Sequence, residues 1–188
     1  MILFRCLAWD KAASPRARGG PLWFPRMLQG NGRHDNPELY GCLYVSVEPV
    51  SAVAEQLQRL AGTSLEQPDL VRRGLPLALA AIDFDERGEL VDLDDPTVLV
   101  GEGLRPSQVA TNDRTLTQAD AGEIHARHPQ TVGLRWWSTI EALWANVTLF
   151  DRADELLGVE DVQPLELGDG IVIEAADYLG LPIVVDLT

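Results

Sequence analysis

Of 15 basic residues only Lys11 is a lysine, the cysteines number two, and no stretch of 18 or more apolar residues spans a bilayer. The near absence of lysine reads as genome composition more than function. Basic charge as a whole is short, with 29 acidic side chains and a formal net charge of −14. That argues against a nucleic-acid or anionic-membrane surface, since both need basic patches to release counterions. Cys6 and Cys42 sit in apolar runs with neither a Cys-x-x-Cys partner nor a histidine at ligand spacing. They read as two buried reduced thiols, and a zinc site is not expected. Missing too are Gly-x-Gly-x-x-Gly, a Walker loop and a Gly-x-Ser-x-Gly elbow. The opening Met1-Ile2-Leu3-Phe4-Arg5 is interrupted too soon for a secretory signal, so the expected location is the cytoplasm.

What is present suits one globular domain over residues 1–188, with a 46% apolar share and no dividing linker, repeat or low-complexity segment. Strands are expected at 1–9, Leu43 to Val47, Pro76 to Asp83, Leu90 to Leu93, Val132 to Trp137 and Asn146 to Phe150. Gly170 to Ile173 and Ile183 to Val185 are further strand candidates. Helices are expected over Ser51 to Ala61, with Ser51 as N-cap, and over Gln118 to Arg127, with Thr115 or Thr117 as cap. A last helix should run from Glu174 to Leu179 and end at Gly180. Pro96 to Leu99 begins a turn or short helix, and Ile140 to Trp144 fits helix or strand. Residues 10–37, rich in Gly, Pro, Arg and Asn, read as a long ordered loop of the kind that carries function. Without regular βαβ alternation, the expectation is a compact α+β domain around a central mixed or antiparallel sheet.

The chemistry-bearing stretch is Gly32-Arg33-His34-Asp35-Asn36-Pro37, then Leu43-Tyr44-Val45-Ser46, then Ala52-Val53-Ala54-Glu55. Loop, strand and helix in succession can bring Arg33, Tyr44 and Glu55 to one end of a sheet. Arginine offers planar, permanently charged donors suited to a diphosphate. Tyrosine offers a ring face and a hydroxyl. A carboxylate can stabilise an oxocarbenium-like transition state or bind ribose hydroxyls. Spacing alone equally allows Arg33 as a loop anchor, Tyr44 as a core residue and Glu55 on a solvated helix face.

The segment from Gly32 to Glu55 resembles the signature of the RES domain family: a Gly-Arg-Trp-Asn-type loop, a Tyr-x-Ser strand and a helix carrying glutamate. Gly133-Leu134-Arg135-Trp136-Trp137-Ser138 is similar to the later strand that ends in the family serine, and Phe4-Arg5 to the early aromatic–arginine pair. The resemblance implies a fold like that of ADP-ribosyltransferase toxins. It implies an enzyme that consumes NAD as substrate, without a resident cofactor, by hydrolysis or phosphorolysis with inorganic phosphate as co-substrate. It further implies a toxin of a type II pair neutralised by an Xre-like antitoxin, as a homodimer or toxin–antitoxin hetero-oligomer. In that reading Arg33 and Arg5 grip phosphate, Tyr44 orients the nicotinamide side, Glu55 serves the ribose centre and Ser138 completes the pocket. The sequence departs from the family at His34-Asp35, where Trp-Asn is usual, and at Trp137-Ser138, where many members have Pro-Ser. The first change sets a candidate acid and a titratable imidazole beside the expected phosphate anchor, and His34 joins Arg5, Arg33, Tyr44 and Trp136 as an expected substrate-binding residue. Two other readings of the same residues stand beside this one: ADP-ribosyl transfer to a protein, and a catalytically silent interaction module.

Several features carry a plainer expectation. His125 and His128 suit a helix C-terminus better than a metal pair, and no metal site is expected. Trp136 is the candidate for stacking on a substrate ring, Trp137 falling on the other strand face. The polar run Thr111 to Gln118 reads as helix capping, with phosphate reception at a helix N-terminus the alternative. Asp92, Asp94 and Asp95 lack the Gly and terminal Glu of a calcium loop.

Overall fold

A computed structural model describes residues 1–184. In chain order it holds strands β1 (Ile2–Ala8), β2 (Cys42–Ser46), β3 (Val71–Arg72), β4 (Leu75–Phe84), β5 (Leu90–Asp92), β6 (Gly133–Trp137), β7 (Ala145–Phe150) and β8 (Leu157–Pro164). The α-helices are α1 (Pro49–Leu57), α2 (Pro96–Gly101), α3 (Pro106–Val109), α4 (Arg114–Arg127) and α5 (Gly170–Leu179). The eight strands make a mixed sheet, and with the helices the architecture is α+β, as expected from the irregular order of elements.

The chain divides into two compact units. The first comprises Met1 with residues 24–45 and 84–157. Its strands run in the order β2-β7-β6-β5. β6 is antiparallel to β7, with Leu134 opposite Thr148 and Trp136 opposite Asn146, and β5 is parallel to β6. β7 is buried along its whole length, as a central strand should be. Leu134, Trp136, Ile124, Ala121, Tyr40 and Phe150 belong to this unit's core. Helix α4 enters it through Ala121 and Ile124, spaced by three on one face.

The second unit comprises residues 2–23, 46–83 and Gly158 onward. Its strands run β3-β4-β1, with β8 on β4. β1 is antiparallel to β4, Phe4 facing Ala81. Val53, Ala54 and Leu57 of α1 are fully buried, as are Val172, Ala175 and Ala176 of α5.

The elements depart from expectation at identifiable places. α1 starts at Pro49, not Ser51: proline's fixed φ favours the first helical position, and Glu48 takes the N-cap while Ser51 lies buried inside the helix. α4 starts at Arg114 because the Asp113 carboxylate caps the Leu116 amide, so neither Thr115 nor Thr117 is the cap. Gly170 to Ile173 is the first turn of α5, not a strand. The apolar positions 172, 175 and 176 keep helical spacing, which outweighs the β-branched content of Ile171-Val172-Ile173. Gly180 ends that helix in the left-handed region at φ 62°. Ile140 to Trp144 is neither helix nor strand. Ile183 makes an isolated parallel bridge with Leu65, and Val185 lies outside the described residues. β8 escapes the sequence reading because its Val-Glu-Asp-Val-Gln run is largely exposed and shows no clean alternation.

Candidate active site

The loop from Gly30 to Asn36 has no regular structure, and side chains from several elements hold it. Asp35 is its hub. One carboxylate oxygen accepts the amides of Gly30 (2.8 Å) and Gly32 (2.7 Å), and the other accepts the Tyr44 phenol at 2.7 Å. Tyr44, on β2, in turn accepts the His34 amide at 2.9 Å. From the first turns of α4, Thr117 donates its hydroxyl to the Arg33 carbonyl (2.5 Å) and Gln118 donates its amide to the Gly32 carbonyl (2.8 Å). Asn36 donates to the Tyr40 hydroxyl and to the Gln118 carbonyl. Upstream, the Gln29 amide pairs with both the N–H and the carbonyl of Cys42, extending the β2 ladder by a side chain.

Arg33 is 5% exposed. Its Nη1 donates to the carbonyls of Val109 (2.8 Å) and Thr111 (2.6 Å), at and just beyond the end of α3. Its guanidinium carbon lies 4.8 Å from the centroid of the Trp136 ring, within cation–π range. The polar run from Thr111 therefore serves two structural ends, since Asp113 caps α4 and Thr111 helps to fix Arg33. His34 is buried beside it, its ring edge-on to Trp136 with centroids 5.2 Å apart. His34 Nδ1 is 2.8 Å from Thr148 Oγ1, and the Trp136 indole N–H donates to the same oxygen at 3.1 Å.

Burial governs the electrostatics here. Removal from water, followed by the charges of Arg33 and Arg114, draws the His34 pKa down to about 3, so the ring is neutral at physiological pH. The Tyr44 phenol is pushed well above its ordinary value by burial first and then by its neighbours Cys42 and Asp35, the latter also accepting its hydrogen bond, and it remains a proton donor. Burial likewise raises the Cys6 thiol to about 12, and Cys42 moves in the same direction. Both cysteines are buried and unlinked, as their apolar surroundings predict.

The remaining site residues fall as follows. Ser138 is buried at the end of β6, where its hydroxyl accepts the Ile140 amide at 3.1 Å and its amide donates to the Trp144 carbonyl. Trp136 is 6% exposed, its ring flanked by Arg33 and His34. Arg33, His34, Tyr44, Trp136 and Ser138 all belong to the first unit; Arg5 and Glu55 belong to the second. Arg5, on β1, donates from Nη1 to the carbonyls of Pro21 (2.6 Å) and Trp23, and burial lowers its pKa to about 10, which leaves it charged. Glu55 is half-buried on α1 and accepts a hydrogen bond from the Gln58 amide at 2.7 Å.

Other clusters have structural partners. His128 pairs with Glu102 through Nε2 at 2.8 Å, and the His125 ring packs against Tyr40 and Phe150. Asp92 and Asp94 bind Arg135, and Asp95 caps α2. Among the described residues no group of three or more His, Cys, Asp or Glu is arranged to hold a metal ion, and no helix is long and apolar enough to cross a membrane.

Sequence reasoning missed Thr148 and read Thr117 and Gln118 only as helix capping. Thr117 and Gln118 lie in or beside the polar run already noted, but Thr148 sits inside an apolar strand with nothing to mark it. No curated protein matches this chain. The family model of the RES domain matches residues 3–168, a span that includes every residue named above as a candidate for the site, and the chain belongs to the RES domain family.

Proposed function

We propose that this RES-domain chain is an enzyme that breaks the nicotinamide–ribose bond of NAD, with water or inorganic phosphate as acceptor. The observation that supports it most is the fastened Arg33 loop: a buried, permanently charged guanidinium backed by an indole and locked by carbonyls, in a family associated with NAD-related chemistry. A fixed guanidinium is pre-set for a diphosphate, but at 5% exposure the groups around Arg33 must first part to admit one.

In this reading nicotinamide leaves with the bonding electron pair and the ribose carbon becomes oxocarbenium-like. An oxygen of water or phosphate then forms the new bond, giving ADP-ribose and a proton or ADP-ribose phosphate. The family resemblance alone assigns Glu55 to the developing positive charge and Arg5, with Arg33, to the diphosphate. Tyr44 acts as a neutral phenol: its hydroxyl is already engaged in a hydrogen bond to Asp35, so its part is to orient the loop and offer a ring face. Ser138 lends a hydrogen bond. His34, neutral and buried, acts as a packing and hydrogen-bonding group rather than an acid at neutral pH.

The likeness to ADP-ribosyltransferases, the role of toxin, an Xre-like antitoxin partner, the oligomer and a cytoplasmic location all come with this proposal. The test is incubation of the pure chain with NAD, with and without phosphate, following free nicotinamide. Release in either condition supports the reading, and the product, ADP-ribose or ADP-ribose phosphate, identifies the acceptor. No release at high enzyme concentration removes it, and a labelled band from labelled NAD in lysate would move the activity to protein ADP-ribosylation.

A further inference from the structure

Thr148 is fully buried in β7. Its single hydroxyl stands between two rings, 2.8 Å from His34 Nδ1 and 3.1 Å from Trp136 Nε1. An indole nitrogen can only donate, so Trp136 occupies one lone pair of the oxygen. The hydroxyl proton then has His34 Nδ1 as its acceptor, and the imidazole proton is left on Nε2. The opposite tautomer would place two donors on the oxygen and strand its own proton in the interior, since no other hydrogen bond to that hydroxyl exists among the described residues.

The two rings bound by Thr148 both touch the Arg33 neighbourhood. Trp136 lies against the guanidinium, and the neutral His34 ring meets Trp136 edge-on while adjoining Arg33 in sequence. We propose that Thr148 is a positioning residue for the Arg33 site: its hydroxyl sets the rotation of the Trp136 ring that backs the guanidinium and selects the tautomer of the His34 ring that packs against Trp136. An imidazole brings two ring nitrogens into the interior, and Thr148 satisfies one of them.

The kinetic arm of the test rests on the NAD reading; the spectroscopic arm does not. Thr148→Val removes the hydroxyl and keeps the shape, whereas Thr148→Ser keeps the hydroxyl. Proton–nitrogen NMR of the Trp136 indole and the His34 ring nitrogens reads the effect without ligand. In Thr148→Val the indole proton should lose its hydrogen-bonded shift and His34 should become a mixture of tautomers; Thr148→Ser should retain both signatures. With NAD, Thr148→Val should raise KM about tenfold with a smaller change in kcat, as loss of positioning in the bound ground state requires. Unchanged spectra in Thr148→Val, or equal damage from both variants, would overturn the proposal in favour of simple packing. Should Thr148→Val fail to fold, Trp136→Phe carries the test: freeing the lone pair should release the His34 tautomer, and a His34 spectrum like that of the unaltered chain would again overturn it. Absence of NAD turnover in the unaltered chain would remove the enzymatic reading and leave the spectra to decide the role of Thr148.

Discussion

The Tyr44 phenol donates a hydrogen bond to Asp35 across 2.7 Å, and that bond ties β2 to the loop carrying Arg33. The same carboxylate, 5% exposed, also holds two backbone amides. Tyr44→Phe leaves one Asp35 oxygen and the His34 amide each short of a partner, which should cost about 1–3 kcal/mol. Asp35→Ala releases the Gly30 and Gly32 amides as well and should cost more. Urea unfolding of the two variants checks the order, and equal losses would show that Asp35 is not the hub.

Gly32 cannot carry a side chain. A Cβ there would lie 2.5 Å from both the Asp35 carboxylate and the Tyr44 hydroxyl. Gly32→Ala should therefore push this pair apart and lower stability by about 1–3 kcal/mol, with loss of any activity that depends on Arg33. The melting temperature and NAD turnover report the two effects separately.

Acid should weaken the fold through His34. Its folded pKa of about 3 lies below the ordinary 6.5, so the unfolded chain binds the proton more tightly. The contribution is complete above about pH 6.5 and declines as pH falls from there towards 3, at roughly 1.4 kcal/mol per pH unit once the unfolded ring is charged. His34→Leu should flatten this part of the profile. Urea midpoints at pH 7 and pH 4.5 measure it, and parallel profiles for both proteins would refute the assignment.

Glu55→Gln preserves side-chain size and removes the charge proposed to face the ribose centre. NAD turnover should fall at least about 100-fold, with KM affected less. Arg33→Lys retains the charge but loses the planar fork that reaches both Val109 and Thr111 and the face that lies on Trp136. It should raise KM for NAD and lower the melting temperature together, whereas a lysine that sustained both would show that charge alone matters.

The sequence made strands and long helices legible where one pattern dominated. β1, β4, β6 and β7 lie within a residue or two of their expected ranges because each is a short, mostly apolar run bounded by polar or turn residues. Helix starts were less legible, since Ser51, Thr115 and Thr117 all look like caps and only local geometry shows that Glu48 and Asp113 take those places. In the site, Arg33 and Tyr44 stood out through their motif, and Arg33 proved to be a loop anchor as well as a candidate ligand for phosphate. The hub role of Asp35 and the two-ring role of Thr148 depend on contacts between residues far apart in the chain, which periodicity does not encode.

Trp136 and Trp137 are adjacent, and only the pairing of β6 with β7 decides which of them meets His34 and Thr148. Gly133 helps to set that pairing, because a Cβ on it would run into the Thr148 carbonyl. A shift by one position turns every side chain of a strand to the opposite face. Evolution can thus trade one residue type for another in the connection from Ser138 to Trp144, but a single-codon insertion or deletion that drags β6 along β7 would turn Trp136 to the opposite face and set Arg135 or Trp137 in its place beside the guanidinium. Length variation among natural versions of this chain should accordingly be sparse at that connection and freer in the exposed turns.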